Sequence, residues 1–144
     1  MTQEDKNLLL RDLCARLPYG VKLCHESFED VIILHTIDAT QFAVEISIDN
    51  SNSNTAYWNS IEQVKPYLFP LSSMTEEQLY ELREMFGFEI EFNNGFIELS
   101  TFHHGRLGYL EMVALFEWFN RNHFDYRGLI PKGSAIDCTN LNIY

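Results

Sequence analysis

Two short segments gather the residues best suited to chemistry: His103-His104-Gly105-Arg106 and His123-Phe124-Asp125-Tyr126-Arg127, the second followed closely by Lys132. Imidazole and carboxylate groups brought together bind a divalent metal or exchange protons near neutral pH, and Arg106, Arg127 and Lys132 can clamp a phosphate or carboxylate. The loop from Arg127 to Gly133 carries glycines that let backbone N–H groups approach an anion, and Phe124 or Tyr126 can stack on a base. The candidate ligand-binding set is therefore His103, His104, Arg106, His123, Asp125, Tyr126, Arg127 and Lys132, for a small anion or a nucleotide phosphate. A structural reading stands beside it: His103 and His104 end a hairpin, Asp125 pairs with Arg127 or Arg121, and Arg127 ties to Asp125 or to the Tyr144 carboxylate. An enzymatic version, a metal-assisted hydrolase or nuclease, would use His103, His104, His123 and Asp125.

Convergence of the two segments depends on what lies between them. Tyr109 to Phe119 has only Glu111 and Glu117 as charges and is apolar almost all round, so it reads as a helix that is central to the core or shared with a partner. At 1.5 Å per residue a straight helix would hold its two flanks about 20 Å apart. One site forms only if the tail after His123 folds back along the helix.

The remaining elements follow from local signals. Thr2 caps a helix over residues 3–17 with apolar positions Leu10, Leu13, Cys14 and Leu17, stopped by Pro18-Tyr19-Gly20. Val21 to His25 and Val31 to Ile37 read as short strands, and Phe42 to Ile48 alternates as a strand with one wet face. Asp49 to Thr55 is a polar loop, and the segment after it is irregular. Lys65 to Leu71 holds two prolines, which argue against a central strand, and four large apolar residues, so an extended strap is expected. Thr75 and Gln78 form a capping box with Met74 stapling to Leu79, Leu82 and Phe86 continue the buried stripe, and Gly87 ends that helix. Asn94-Gly95 specifies a two-residue hairpin turn that sets Phe92 opposite Ile97, Ile90 opposite Leu99 and Glu91 opposite Glu98. The tail is loop with one short strand near Ile136. The order predicts a single α+β domain over residues 1–144: a mainly antiparallel sheet of about five strands with helices packed on one face.

Composition narrows the function classes. A chain of 144 residues with 46% hydrophobic content can bury a core without disulfides or metal. Cys14, Cys24 and Cys138 have neither the number nor the spacing of a disulfide framework or zinc knuckle. A charged N-terminus and the lack of a long apolar run point to the cytoplasm, with no membrane partner. The net charge of −11 opposes direct nucleic-acid binding. Seven carboxylates between Ser73 and Ser100 face only Arg83, which marks either a surface for a basic partner or a solvated face. Tyr57, Trp58, Tyr67, Phe69, Phe116, Trp118 and Phe119 are core or interface anchors. No Gly-x-Gly-x-x-Gly, P-loop, His-Glu-x-x-His or Gly-x-Ser-x-Gly motif is present, and no cofactor is called for.

Three blocks carry a resemblance: Arg16-Leu17-Pro18-Tyr19-Gly20-Val21-Lys22, the stretch from Lys65-Pro66-Tyr67 through Thr75-Glu76-Glu77, and His123-Phe124-Asp125-Tyr126-Arg127-Gly128-Leu129-Ile130-Pro131-Lys132-Gly133. The chain resembles a family of small uncharacterised proteins of phages, prophages and conjugative elements of gut anaerobes. The resemblance implies a context and transfers no site residues. An inhibitor, adaptor or ligand-sequestering accessory protein is implied, with host counter-defence as its setting and a host protein or nucleotide-like ligand as its partner. Together these readings give a non-catalytic binding protein, a homodimer through its long helix.

Overall fold

The computed structural model of the chain describes residues 1–48, 56–93, 96–101 and 108–144, with backbone alone for 88–93 and 96–101. Helix α1 spans Gln3–Arg16 and starts on a capping box, in which the Thr2 hydroxyl accepts from Asp5 N–H and the Asp5 carboxylate accepts from Thr2 N–H. A 3₁₀ turn over Leu17–Tyr19 ends at Gly20, whose φ of 66° suits only a residue without Cβ strain. Strands β1 (Lys22–His25), β2 (Phe28–Asp38) and β3 (Ala43–Ile48) follow as an antiparallel meander. The expected loop at Asp49 to Thr55 lies outside the described residues. Strand β4 (Tyr57–Ser60), which local patterning misses, pairs along β3.

The expected strap is corrected to a strand. β5 (Val64–Leu68) pairs antiparallel with β1, Pro66 aligning with Leu23, and parallel with the two-residue β8 (Ile136–Asp137). Pro66 is tolerated because β8 begins its pairing at Tyr67, so the proline borders no ladder on that side. The sheet has six strands in the order β4-β3-β2-β1-β5-β8, mostly antiparallel. It is an α+β fold, with one strand more in its main sheet than the predicted five.

Helix α2 (Glu76–Phe86) carries the expected capping box between Thr75 and Gln78, and Gly87 caps its end at φ 68°. Strands β6 (Phe88–Asn93) and β7 (Phe96–Thr101) form a separate hairpin in the predicted register, Phe92 with Ile97, Ile90 with Leu99 and Glu91 with Glu98. The Asn94-Gly95 turn itself is outside the described residues. Helix α3 (Tyr109–Arg121) starts at Gly108, whose N–H donates to the Glu111 carboxylate.

Two apolar clusters result. Leu9 and Leu13 of α1 pack with Val21, Leu23, Ile32, Val44 and their neighbours on the sheet; Leu82 of α2 packs with Leu115, Trp118 and Phe119 of α3 and with Phe124. The tail joins them. Phe69 and Phe124 make a parallel bridge, Asp125 N–H donates to the Phe69 carbonyl, and Cys138 N–H donates to the Leu68 carbonyl.

Tyr144 completes this closure. Its hydroxyl accepts from Lys22 N–H at 3.0 Å and donates to the Tyr67 carbonyl at 3.1 Å. The pairing of Leu23 with Pro66 puts Lys22 opposite Tyr67, so the hydroxyl stands where the β1–β5 ladder would have its next direct bond. Tyr144→Phe should cost about 0.5–1.5 kcal/mol in denaturant unfolding, because it removes a hydrogen-bonded bridge whose two ends stay partly open to solvent, while keeping the ring. An unchanged midpoint would show that the bridge contributes nothing to stability.

Candidate functional site

The tail residues singled out by sequence do converge, but on each other and on α1. Asp125 is buried, and its two carboxylate oxygens accept from Leu129 N–H at 2.9 Å and Ile130 N–H at 2.8 Å. The loop N–H groups suited to an anion are thus partly taken by an internal one. Gly128 and Gly133, at φ 72° and 70°, let the loop turn tightly enough to present them.

Arg127 binds neither Asp125 nor the Tyr144 carboxylate, the two partners considered from sequence. Its Nε lies 3.3 Å from Oδ1 of Asp12 in α1, within ion-pair range although the N–H is not aligned as a hydrogen bond. Its guanidinium sits 4.7 Å from the centre of the Tyr126 ring. Lys132 reaches Asp5 at 3.5 Å, an exposed pair of little energetic weight. Tyr126 stacks on Phe116 and Phe119 at 5.1 and 5.6 Å, so the tail does fold back over the end of α3. His103, His104 and Arg106 lie outside the described residues.

The centre of this arrangement is a pair that sequence reasoning passed over. Arg16 is fully buried and grips Asp12 through two nitrogens, Nε at 2.7 Å and Nη2 at 3.1 Å. The same guanidinium donates to the carbonyls of Phe119 and Phe124, which ties α1 to the end of α3 and the start of the tail. Burial raises the Asp12 carboxyl pKa, opposed by Arg16 and then by Arg127. A signal existed: Leu9, Asp12, Leu13 and Arg16 share the i, i+3, i+4, i+7 stripe, so the charges lie on the buried face of α1.

His123 is almost fully buried, adopts φ 58°, and stacks on Tyr144 with ring centres 3.9 Å apart. Its pKa is lowered to about 4, first by burial and then by the neighbouring Arg16 charge. A neutral imidazole under a tyrosine ring is poorly placed for proton transfer to a ligand from solvent. Nδ1 of His123 is one of several buried polar atoms here without a hydrogen-bond partner among the described residues, with Trp118 Nε1 and Asn120 Oδ1. Among the described residues, no group of three or more His, Cys, Asp or Glu is arranged to hold a metal.

The aromatic candidates fall into three groups, with Tyr67 and Phe69 half-buried. Trp118 and Phe119 are core, whereas Tyr57, Trp58 and Phe116 are exposed. The long helix is likewise half core: Leu115, Trp118 and Phe119 are buried, while Tyr109 and Leu110 are 82% and 80% exposed. No helix among the described residues is long and apolar enough to cross a membrane.

The His123 shift predicts a pH dependence with a definite sign. The folded state holds the imidazole neutral down to about pH 4, whereas the unfolded chain protonates near 6.5. The unfolded state therefore binds more protons in that window, and stability falls as pH drops from about 6.5 to about 4. The loss should reach about 2 kcal/mol, discounted for partial solvation. His123→Asn, which tolerates positive φ and does not titrate, should flatten that part of the stability profile in urea titrations; an unchanged slope would assign it to other groups.

No protein-family model, curated protein or solved structure matches the chain, so the case for its function rests on this geometry and on the exposed surfaces around it.

Proposed function

We propose that the chain is a non-catalytic binding protein that works through exposed helix surfaces, with the outer face of α3 joining two copies into a homodimer. One observation carries this reading. Tyr109, Leu110, Val113 and Phe116 lie on one stripe of α3 and all are exposed, on a helix whose opposite side is core. Pairing two copies of that stripe would gain on the order of 10 kcal/mol from apolar burial, comparable with the cost of association. The net charge of −11 on each copy works against pairing, so the dimer should tighten as salt screens the repulsion. The resemblance to small phage and mobile-element proteins favours an accessory role in the host cytoplasm, counter-defence included, with a host protein as the partner.

Light scattering should give twice the chain mass at micromolar concentration and moderate salt. Leu110→Glu should give a folded monomer. A wild-type monomer at high concentration and high salt would refute the dimer.

A small anion or nucleotide phosphate is the second reading, and Arg127 favours it. Its side chain remains about a quarter exposed and its guanidinium packs on the Tyr126 ring. Calorimetry with mononucleotides and cyclic oligonucleotides should then show binding that Arg127→Ala weakens at least about tenfold, a loss of roughly 1.4 kcal/mol. Equal binding by a folded Arg127→Ala protein, or none by wild type, removes the site.

A further inference from the structure

The outer face of α2 presents a second surface, separate from the α3 stripe that carries the dimer. Glu77, Tyr80, Glu81, Glu84 and Met85 follow one another at i, i+3, i+4, i+7 and i+8 and line an open depression of about 470 Å³. All five are exposed, Tyr80 and Met85 at 62% and 54%, opposite the buried Leu82. Only Glu77, in the first turn, favours the helix through its dipole; the spacing of the three carboxylates does not. Glu77 and Glu81 are like charges one turn apart and Glu84 follows, a spacing that weakens a helix by a few tenths of a kcal/mol per pair. Among the described residues, none of the three carboxylates has a cation at ion-pair distance.

Charge and shape together select the occupant. Three unneutralised carboxylates between a tyrosine face and a thioether suit a guanidinium or ammonium group whose stem lies on apolar surface. A metal ion is not favoured, since the described residues hold no suitable ligand group. A second copy of this chain would bring the same carboxylates and a charge of −11, and nucleic acid would bring phosphates. We propose that the outer face of α2 binds a Lys/Arg-rich amphipathic segment of a partner protein, its cations set among Glu77, Glu81 and Glu84 and its apolar side chains against Tyr80 and Met85. This names the partner chemistry within the binding-protein reading, on a surface that does not depend on the dimer.

The probe is a fluorescein-labelled amphipathic peptide with Lys and Arg on one helical face and Leu on the other, followed by anisotropy against folded protein. The control peptide has Glu at every Lys and Arg. Wild type should bind the basic peptide and not the control, more weakly as salt rises, which is the reverse of the dimer's salt dependence. Glu81→Lys/Glu84→Lys should weaken binding at least about tenfold, Glu84→Gln about threefold and Tyr80→Ala about threefold, with circular dichroism unchanged. Leu110→Glu should leave peptide binding intact, which separates this surface from the α3 stripe. Failure of wild type to bind, or equal affinity in the charge-reversed protein, overturns the proposal. So does equal affinity in Tyr80→Ala, which would show only diffuse attraction to an acidic protein.

Discussion

The buried ion pair of Asp12 and Arg16 is the constraint around which the molecule closes. Two charges removed from water are costly, and removing either partner would leave the other uncompensated at a cost of about 3–5 kcal/mol. The structure meets that demand by surrounding the guanidinium with acceptors: two carboxylate oxygens from its own helix and two backbone carbonyls more than a hundred residues away. Those carbonyls belong to Phe119 and Phe124, so satisfying the arginine fixes where α3 ends and where the tail begins. Arg127 then adds a second cation to Asp12 and brings Tyr126 over the end of α3. The aromatic cluster beneath the tail is organised by a charge that the apolar residues alone would not tolerate.

This arrangement changes what the tail can offer a ligand. Among its described residues, Asp125 serves two backbone amides, His123 is uncharged under an aromatic ring, and Lys132 pairs with α1. Most of the segment's polar capacity is directed inward, which is the signature of architecture. The outward-facing capacity lies on the helices instead. α3 shows apolar side chains and α2 shows carboxylates around two apolar ones, and both faces back onto the same buried cluster through Leu115 and Leu82.

Local signals in the sequence were sufficient wherever the structure is decided locally. The capping boxes at Thr2 and Thr75, the stop at Gly87 and the pairing of β6 with β7 depend on residues within a few positions, and each follows the pattern of its side chains. Pro66 shows the opposite case. Whether a proline fits a strand depends on the neighbouring strand at that point, and here the neighbour is a two-residue strand some seventy positions later. The partners of Arg127 could not be chosen from its own surroundings either, because Asp125 was nearer in sequence but was already required by the loop's amides. The ion pair in α1 was written in the helical spacing of Leu9, Asp12, Leu13 and Arg16. Its meaning became visible only with carbonyls from the far end of the chain.

Pro66 has one more consequence. The hydroxyl of Tyr144 occupies the gap between Lys22 and Tyr67, so the strand alternation turns the Pro66 nitrogen away from β1, toward the side that the tail covers. If the tail lifts, β5 becomes the outermost strand, with Val64 and Leu68 on its buried face. An open edge of that kind is a template for pairing with another chain and so for aggregation. A proline at its centre offers an incoming strand no N–H and interrupts the ladder after one or two residues. The residue that looked like a reason against a strand thus protects the sheet when its cover is gone.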